Sequence, residues 1–202
     1  MKLFYTQRSP FARKVRMHAR LTGQIGDIEE IETTVRDPNA VVLPHNPSGK
    51  VPTLVLDDGT ALAESLLITE YLEERAGDRA LNGRGPERWK AMAFDAFVTS
   101  AADNLAWRFR EKILKEEDKQ SPKFLALETE RARRNFDALA AAVDGELSGP
   151  IRTGHLSAAC FIAFADGSVD SEEWRAGRPG LVAWYEAFTR QPAFQETLAK
   201  PA

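Results

Sequence analysis

The chain carries a single cysteine, Cys160, so it can form neither an intrachain disulfide nor a cysteine-based zinc centre. That usage suits a reducing, cytoplasmic compartment. Histidine is almost as scarce: His18, His45 and His155 stand far apart and in no HExxH-like pattern, so no metal is expected. Apolar residues nowhere persist for the roughly 18 positions a membrane helix needs. The run Met1-Lys2-Leu3-Phe4-Tyr5 reads as a strand, with no apolar h-region and no small-residue cleavage site, so a secretory signal is not expected there. An excess of positive charge is missing too. The net charge of -3 withholds the basic face from which nucleic-acid binding draws its affinity. Neither nucleic acid nor a membrane is expected as a partner.

What is present is a globular chain of 202 residues, long enough for one large domain or two small ones. Its first part mixes periodicities. Lys2 to Thr6 reads as a strand, and Pro10 to Leu21 as a helix with Ser9 as N-cap and Pro10 at the first helical position. A β-rich stretch around Ile28 to Ile31 follows, then a turn or short helix opened by Asp37-Pro38. Thr53 to Leu56 and Thr60 to Leu62 flank Asp57-Asp58-Gly59, whose Asp-Gly step signals a hairpin. From Glu64 to Arg75 the apolar spacing of Ile68, Tyr71 and Leu72 is helical. The order β-α-β-α-β-β-α calls for a parallel pair followed by an antiparallel hairpin, hence a small mixed four-stranded sheet with helices on its faces.

Glycine, proline and charge gather near residues 79–85, read as a linker between a first domain over 1–78 and a second over 86–202. The second domain reads as all-helical. Glu87 to Lys115 carries the stripe Phe94, Val98, Ala101 and Leu105. Pro122 to Glu146, Ser157 to Ala165 and Pro179 to Arg190 supply further helices, Ser157 to Ala165 being apolar enough to be central. Pro192 opens a C-terminal turn.

Three short elements carry the chemistry. Ser9-Pro10-Phe11-Ala12 lies between the first strand and first helix, where ligands of open α/β sheets bind and where a helix end favours an anion. Asn46-Pro47-Ser48-Gly49-Lys50-Val51-Pro52 sets a proline against a strand start. A cis Val51-Pro52 bond would account for it and would present the Val51 backbone to an extended peptide. Glu64-Ser65 opens the next helix, where exposed amides and a hydroxyl suit a carboxylate and Glu64 suits an ammonium group. Each element alone is an ordinary loop or cap. Together they match an α-amino acid head group on a peptide.

This combination resembles the glutathione transferase family, and the resemblance extends along the whole chain. Gly180-Leu181-Val182-Ala183-Trp184-Tyr185 and Arg190-Gln191-Pro192-Ala193-Phe194 are similar to the family's closing helix and turn. Lys2-Leu3-Phe4-Tyr5 with Ser9-Pro10-Phe11-Ala12-Arg13-Lys14-Val15-Arg16 is most similar to bacterial, serine-type members. The resemblance implies a thioredoxin-like domain (α/β) followed by an all-α domain, usually in a homodimer. It implies a cytoplasmic enzyme of detoxification that uses glutathione as co-substrate against small electrophiles. By the same resemblance Ser9 hydrogen-bonds the glutathione sulfur, Val51 pairs with its cysteinyl part, Glu64 and Ser65 hold the γ-glutamyl end, and Lys50 faces the glycyl carboxylate. Ser9 and Ala12 stand where glutaredoxin-like relatives carry Cys-Pro-x-Cys, which excludes dithiol exchange at that place.

Several alternatives stay open at this level. Tyr5 competes with Ser9 for the thiol, against a packing role in the first strand. Phe11, and Asp103 with Trp107 on the long helix beside Arg110, read either as the second-substrate pocket or as core and solvated face. The chain is an enzyme, or a glutathione-binding protein that keeps the fold without turnover. Peroxidase or dehalogenating activity would accompany the first. Finally, Ser157 reads as a helix N-cap with Cys160 in place of the family's Asp, so that Cys160→Asp is expected to raise stability by about 0.5–2 kcal/mol.

Overall fold

The computed structural model describes residues 1–167 and 174–199. Residues 168–173 and 200–202, which fall within the range expected for the helical domain, lie outside the described residues. The chain divides into two compact units, Met1–Lys90 with Arg190–Ala202, and Ala91–Thr189. The segment from Arg190 onward thus belongs with the first unit.

The first unit is built on a four-stranded sheet in the order β2-β1-β3-β4, formed by β1 (Lys2–Tyr5), β2 (Glu29–Glu32), β3 (Thr53–Val55) and β4 (Ala61–Ala63). β1 pairs parallel with β2 across α1 (Pro10–Leu21), while β3 is antiparallel to both β1 and β4. Strand alternation sends neighbours to opposite faces. Leu3 and Leu54 pack with Val15 and Ala19 of α1 and with Ile68 and Leu72 of α2 (Ser65–Ala76). Phe4 and Val55 point the other way, against Ala40 and Val42.

That second face is covered by consecutive turns over residues 38–45 and not by a helix. Asp37 Oδ1 accepts the Asn39 amide at 2.8 Å, and successive turn bonds run from Ala40 to Asn46. Pro38, Pro44 and Pro47 lack the donors a helical ladder would need.

The second unit takes most of α3 (Gly85–Leu114), α4 (Pro122–Ala141), α5 (Thr153–Asp166) and α6 (Pro179–Phe188). α5 is its buried centre, closed over from Thr153 to Ile162. The Phe136 ring stacks on Phe161 at 4.6 Å, and Trp174 meets Tyr185 edge-on at 5.6 Å.

α5 begins a turn earlier than the sequence suggests. Arg152 is the extended N-cap, and its amide donates to Nδ1 of His155, three residues on, at 3.2 Å. The histidine therefore performs the back-reaching half of a capping box. Ser157 lies inside the helix, where its hydroxyl donates to Asp95 of α3 at 2.5 Å. Cys160 is correspondingly a buried interior position, and the expected gain from an aspartate there does not hold.

Candidate active site

Sheet register decides where the three sequence elements end up. Phe4 of β1 pairs with Thr53 of β3, and Thr53 pairs with Ala63 of β4. This row crosses the sheet at one edge. Just beyond it β1 leads to Ser9, Val51-Pro52 leads into β3, and Ala63 leads to Glu64-Ser65. Segments separated by up to fifty-odd positions in sequence so converge on the carboxyl end of the first strand, the end from which open α/β sheets present their ligands.

Ser9 is the extended N-cap of α1, and its Oγ accepts the Ala12 amide at 3.1 Å. Its carbonyl accepts the Arg13 amide at 3.0 Å, the first full helical bond, and its own amide closes a turn onto Thr6. Capping uses an oxygen lone pair. The hydroxyl proton is left to donate, and among the described residues no side chain takes it. The residue is half-buried, at the positive end of a helix.

Pro52 follows a cis peptide bond. Asn46 organises the loop before it: Oδ1 accepts the amide and the hydroxyl of Ser48, at 3.1 and 2.7 Å, while Nδ2 donates to Thr53 Oγ1 at 2.9 Å and to the Lys50 carbonyl. Thr53 Oγ1 donates to that same carbonyl at 2.9 Å. Lys50 is exposed and Val51 half-buried, packed against the Phe4 and Val55 cluster. Sequence reading treated Asn46 as a plain loop residue. The Asx turn that Asn-Pro-Ser-Gly favours was the signal available for it.

Glu64 has φ +73°, the one described non-glycine residue in that half of backbone space. Such a conformation costs on the order of 1–3 kcal/mol and recurs at ligand-binding positions. Glutamate is not a residue that announces it, so no sequence signal pointed there. The Glu64 side chain is exposed and makes no cap bond to α2, while its carbonyl starts the helix by accepting the Ile68 amide. The first amides of α2 are thus left without a side-chain cap, beside a buried Ser65.

Tyr5 is placed differently. It is buried in β1, and the guanidinium carbon of Arg16 lies 4.2 Å over its ring. Arg16 in turn donates to Glu30 of β2 at 2.7 Å, and Arg20 grips the same carboxylate with two bonds of 2.9 Å. Burial alone would raise the Glu30 carboxyl. The hydrogen bonds from Arg20 and Arg16, with their charges, outweigh it and bring the pKa down to about 2.

Phe11 is half-buried on α1. In the second unit, Asp103 and Trp107 stand four residues apart on α3, both exposed, with the Arg110 guanidinium 5.4 Å from the Trp107 ring. No cluster of histidine, cysteine and acidic residues suited to a metal occurs among the described residues, and no described helix is long and apolar enough to cross a membrane.

Comparison with known proteins agrees with this architecture. Residues 3–80 match the family described as glutathione S-transferase, N-terminal domain. The chain is 28% identical over 200 residues to the uncharacterized GST-like protein YibF of Escherichia coli (strain K12), with 98% of each chain covered. It superposes with a TM-score of 0.91 and 28% identity on a glutathione transferase family member from Pseudomonas fluorescens Pf-5 crystallised with bound glutathione, covering 99% of each chain. A second structure of that name, with bound S-(propanoic acid)-glutathione, gives a TM-score of 0.89 over 100% of each chain. The chain thus carries a glutathione S-transferase N-terminal domain over residues 3–80, and along its length it shares the fold of glutathione transferase structures, a thioredoxin-like first unit followed by a helical second unit.

Proposed function

We propose that the protein is a serine-type glutathione transferase, in which Ser9 holds glutathione as its thiolate beside a small electrophile. The observation that carries this reading is the convergence, along the Phe4–Thr53–Ala63 row, of a helix-capping hydroxyl with a spare proton, the loop backbone at Val51, and the uncapped start of α2. Glutathione is a γ-glutamyl peptide with a thiol at its centre and a carboxylate at each end. Ser65 and the α2 amides receive the γ-glutamyl carboxylate, Glu64 its ammonium, the Val51 backbone the cysteinyl unit, and Lys50 the glycyl carboxylate. The glutathione bound in the Pseudomonas fluorescens relative supports the ligand.

The energetics are modest. A free thiol has a pKa of about 8.5, and lowering it by one unit takes about 1.4 kcal/mol. A hydrogen bond to a charged group contributes about 1.5–3 kcal/mol, so the Ser9 hydroxyl and the end of α1 suffice without a general base. The proton leaves to solvent. The sulfur lone pair then forms the new bond to the electrophilic carbon, and the leaving group departs with its electrons or the adding π-system takes them up. Holding both reactants together supplies the rest of the acceleration.

Asp103 and Trp107, one turn apart on α3, are assigned to the electrophile. A homodimer in the cytoplasm, acting in detoxification, completes the proposal; Leu66 and Leu67, exposed on α2, offer apolar surface to a second copy. The test is retention on immobilised glutathione, followed by conjugation of a dinitrohalobenzene and titration of thiolate absorbance in Ser9→Ala and Tyr5→Phe variants. Loss in Ser9→Ala and retention in Tyr5→Phe is expected. Binding without turnover across a broad electrophile panel would instead mark a glutathione-binding protein, and loss in Tyr5→Phe alone would move the role to Tyr5.

A further inference from the structure

We infer that Arg13 is a positioning residue for Ser9, and that the C-terminal turn running from α7 (Pro192–Gln195) to Leu198 is the anchor against which it acts. The inference rests on Ser9 being the partner of the thiol. Ser9 and Arg13 are one turn apart and joined through the Arg13 amide, which donates to the Ser9 carbonyl at 3.0 Å. Side chains at i and i+4 share a helix face, and each leans over the turn that precedes it. Arg13 therefore bears on the turn that holds the Ser9 hydroxyl.

The guanidinium of Arg13 engages the C-terminal segment. Nη2 donates to the Phe194 carbonyl at 3.0 Å, Nε donates to Thr197 Oγ1 at 3.3 Å, and Cζ lies 3.9 Å from the centre of the Phe194 ring. A planar fork that stacks and donates at once has one orientation, which a lysine could not reproduce. Its anchor is itself fixed. Phe194 and Thr197 are buried, and the Thr197 hydroxyl donates back to the Ala193 carbonyl at 2.9 Å, leaving a lone pair for Arg13. Arg20, two turns further along α1, adds a second tie to Glu196 at 3.2 Å. On the other side of Ser9 the loop is moored by Gln7, which donates to Glu32 of β2 at 2.8 Å.

This matters for a hydroxyl that must meet a thiolate, because such a bond weakens steeply with distance and misalignment. Loosening the first turn of α1 would cost thiol activation before it costs the fold.

The experiment uses the full-length protein with glutathione itself as the probe, and measures the thiolate titration of bound glutathione together with kcat and KM for Arg13→Ala, Arg13→Lys, Thr197→Val and Ser9→Ala. For Arg13→Ala the titration midpoint should rise by about one unit, tenfold less thiolate at neutral pH, with kcat falling in step and KM for glutathione changing by less than about twofold. Arg13→Lys should fall between that variant and the wild type, and Thr197→Val should lose about twofold to threefold of the thiolate. An Arg13→Ala protein that is less heat-stable yet titrates like the wild type would overturn the inference. If that variant does not fold, Thr197→Val decides, and an unchanged titration in it has the same consequence. A wild-type thiol that titrates as in free solution, or is unaffected by Ser9→Ala, would bring down the Ser9 reading and this inference with it.

Discussion

His18 Nε2 lies 2.6 Å from Glu73 Oε1, with both side chains buried inside the first unit. The same carboxylate accepts the amides of Leu81 and Asn82, at 2.9 and 2.8 Å. One side chain of α2 thereby ties α1 to the segment that leads into α3. Burial acts to raise the Glu73 carboxyl, but the bonds from His18 and the two amides prevail and lower its pKa.

Glu73→Gln should accordingly destabilise the protein by about 2–3 kcal/mol, because an amide must turn its NH2 group toward one of the three donors. The lowered folded pKa means that the carboxylate's contribution is present above the ordinary carboxylate range and is lost as the pH falls through and below it. Urea denaturation at several pH values checks both parts. The variant should be weaker at neutral pH and should show a shallower decline in acid.

Glu30 offers a second and more exposed handle on acid stability. Its pKa is lowered from 4.5 to about 2 in the fold, between Arg16 and Arg20. Stability from this group is therefore complete above about 4.5 and disappears as the pH falls toward about 2, amounting to at most about 3 kcal/mol. Glu30→Gln should remove that slope. Comparing denaturation midpoints at pH values on either side of the window measures it, and an unaltered slope would show that Arg16 and Arg20 find other partners when Glu30 is gone.

Most of the first unit was legible in sequence because its signals are local. Ser9-Pro10 marks a helix start, Asp58-Gly59 marks a hairpin, and both stand where the local chemistry puts them. The convergence of Ser9, Val51 and Glu64 could be read only through the family resemblance, since register between distant strands is a tertiary property. Two features left no trace. The positive φ of Glu64 is imposed by its surroundings on a residue that does not favour it. The tie from Arg13 to Phe194 and Thr197 joins positions nearly two hundred residues apart, with no periodicity to betray it. The start of α5 was misplaced for a third reason. A histidine closed the capping box where glutamate or glutamine is the usual sign.

That misplacement reverses one expectation. At a cap position Cys160→Asp would add a bond to free amides; within α5 it buries a carboxylate at a site 2% exposed. The expected result is a loss of about 2–4 kcal/mol, with the new carboxyl driven toward its neutral form. Thermal unfolding of Cys160→Asp beside Cys160→Ala separates this from the simple loss of the sulfur. Equal midpoints for the two would show that the carboxylate finds solvent or a partner.

Ser9 has a structural duty and a proposed chemical one, and the two can be separated by choosing the replacement. The structural duty is the bond accepted from the Ala12 amide, which satisfies one orphan donor of α1. Alanine forfeits it and should cost about 1 kcal/mol of stability, whereas glycine at an N-cap costs only a few tenths. The chemical duty is the hydroxyl proton, which both replacements remove. Ser9→Gly and Ser9→Ala should therefore lose the thiolate of bound glutathione alike while differing in melting temperature. If Ser9→Gly, whose backbone suits an N-cap better than alanine's, kept a depressed thiol titration that Ser9→Ala lost, the activating element would be the ordered end of α1 and not the hydroxyl. Tyr5→Phe is the companion control. Its ring lies in β1 under the Arg16 guanidinium at 4.2 Å, so removing the phenol oxygen should leave the thiol titration where it was.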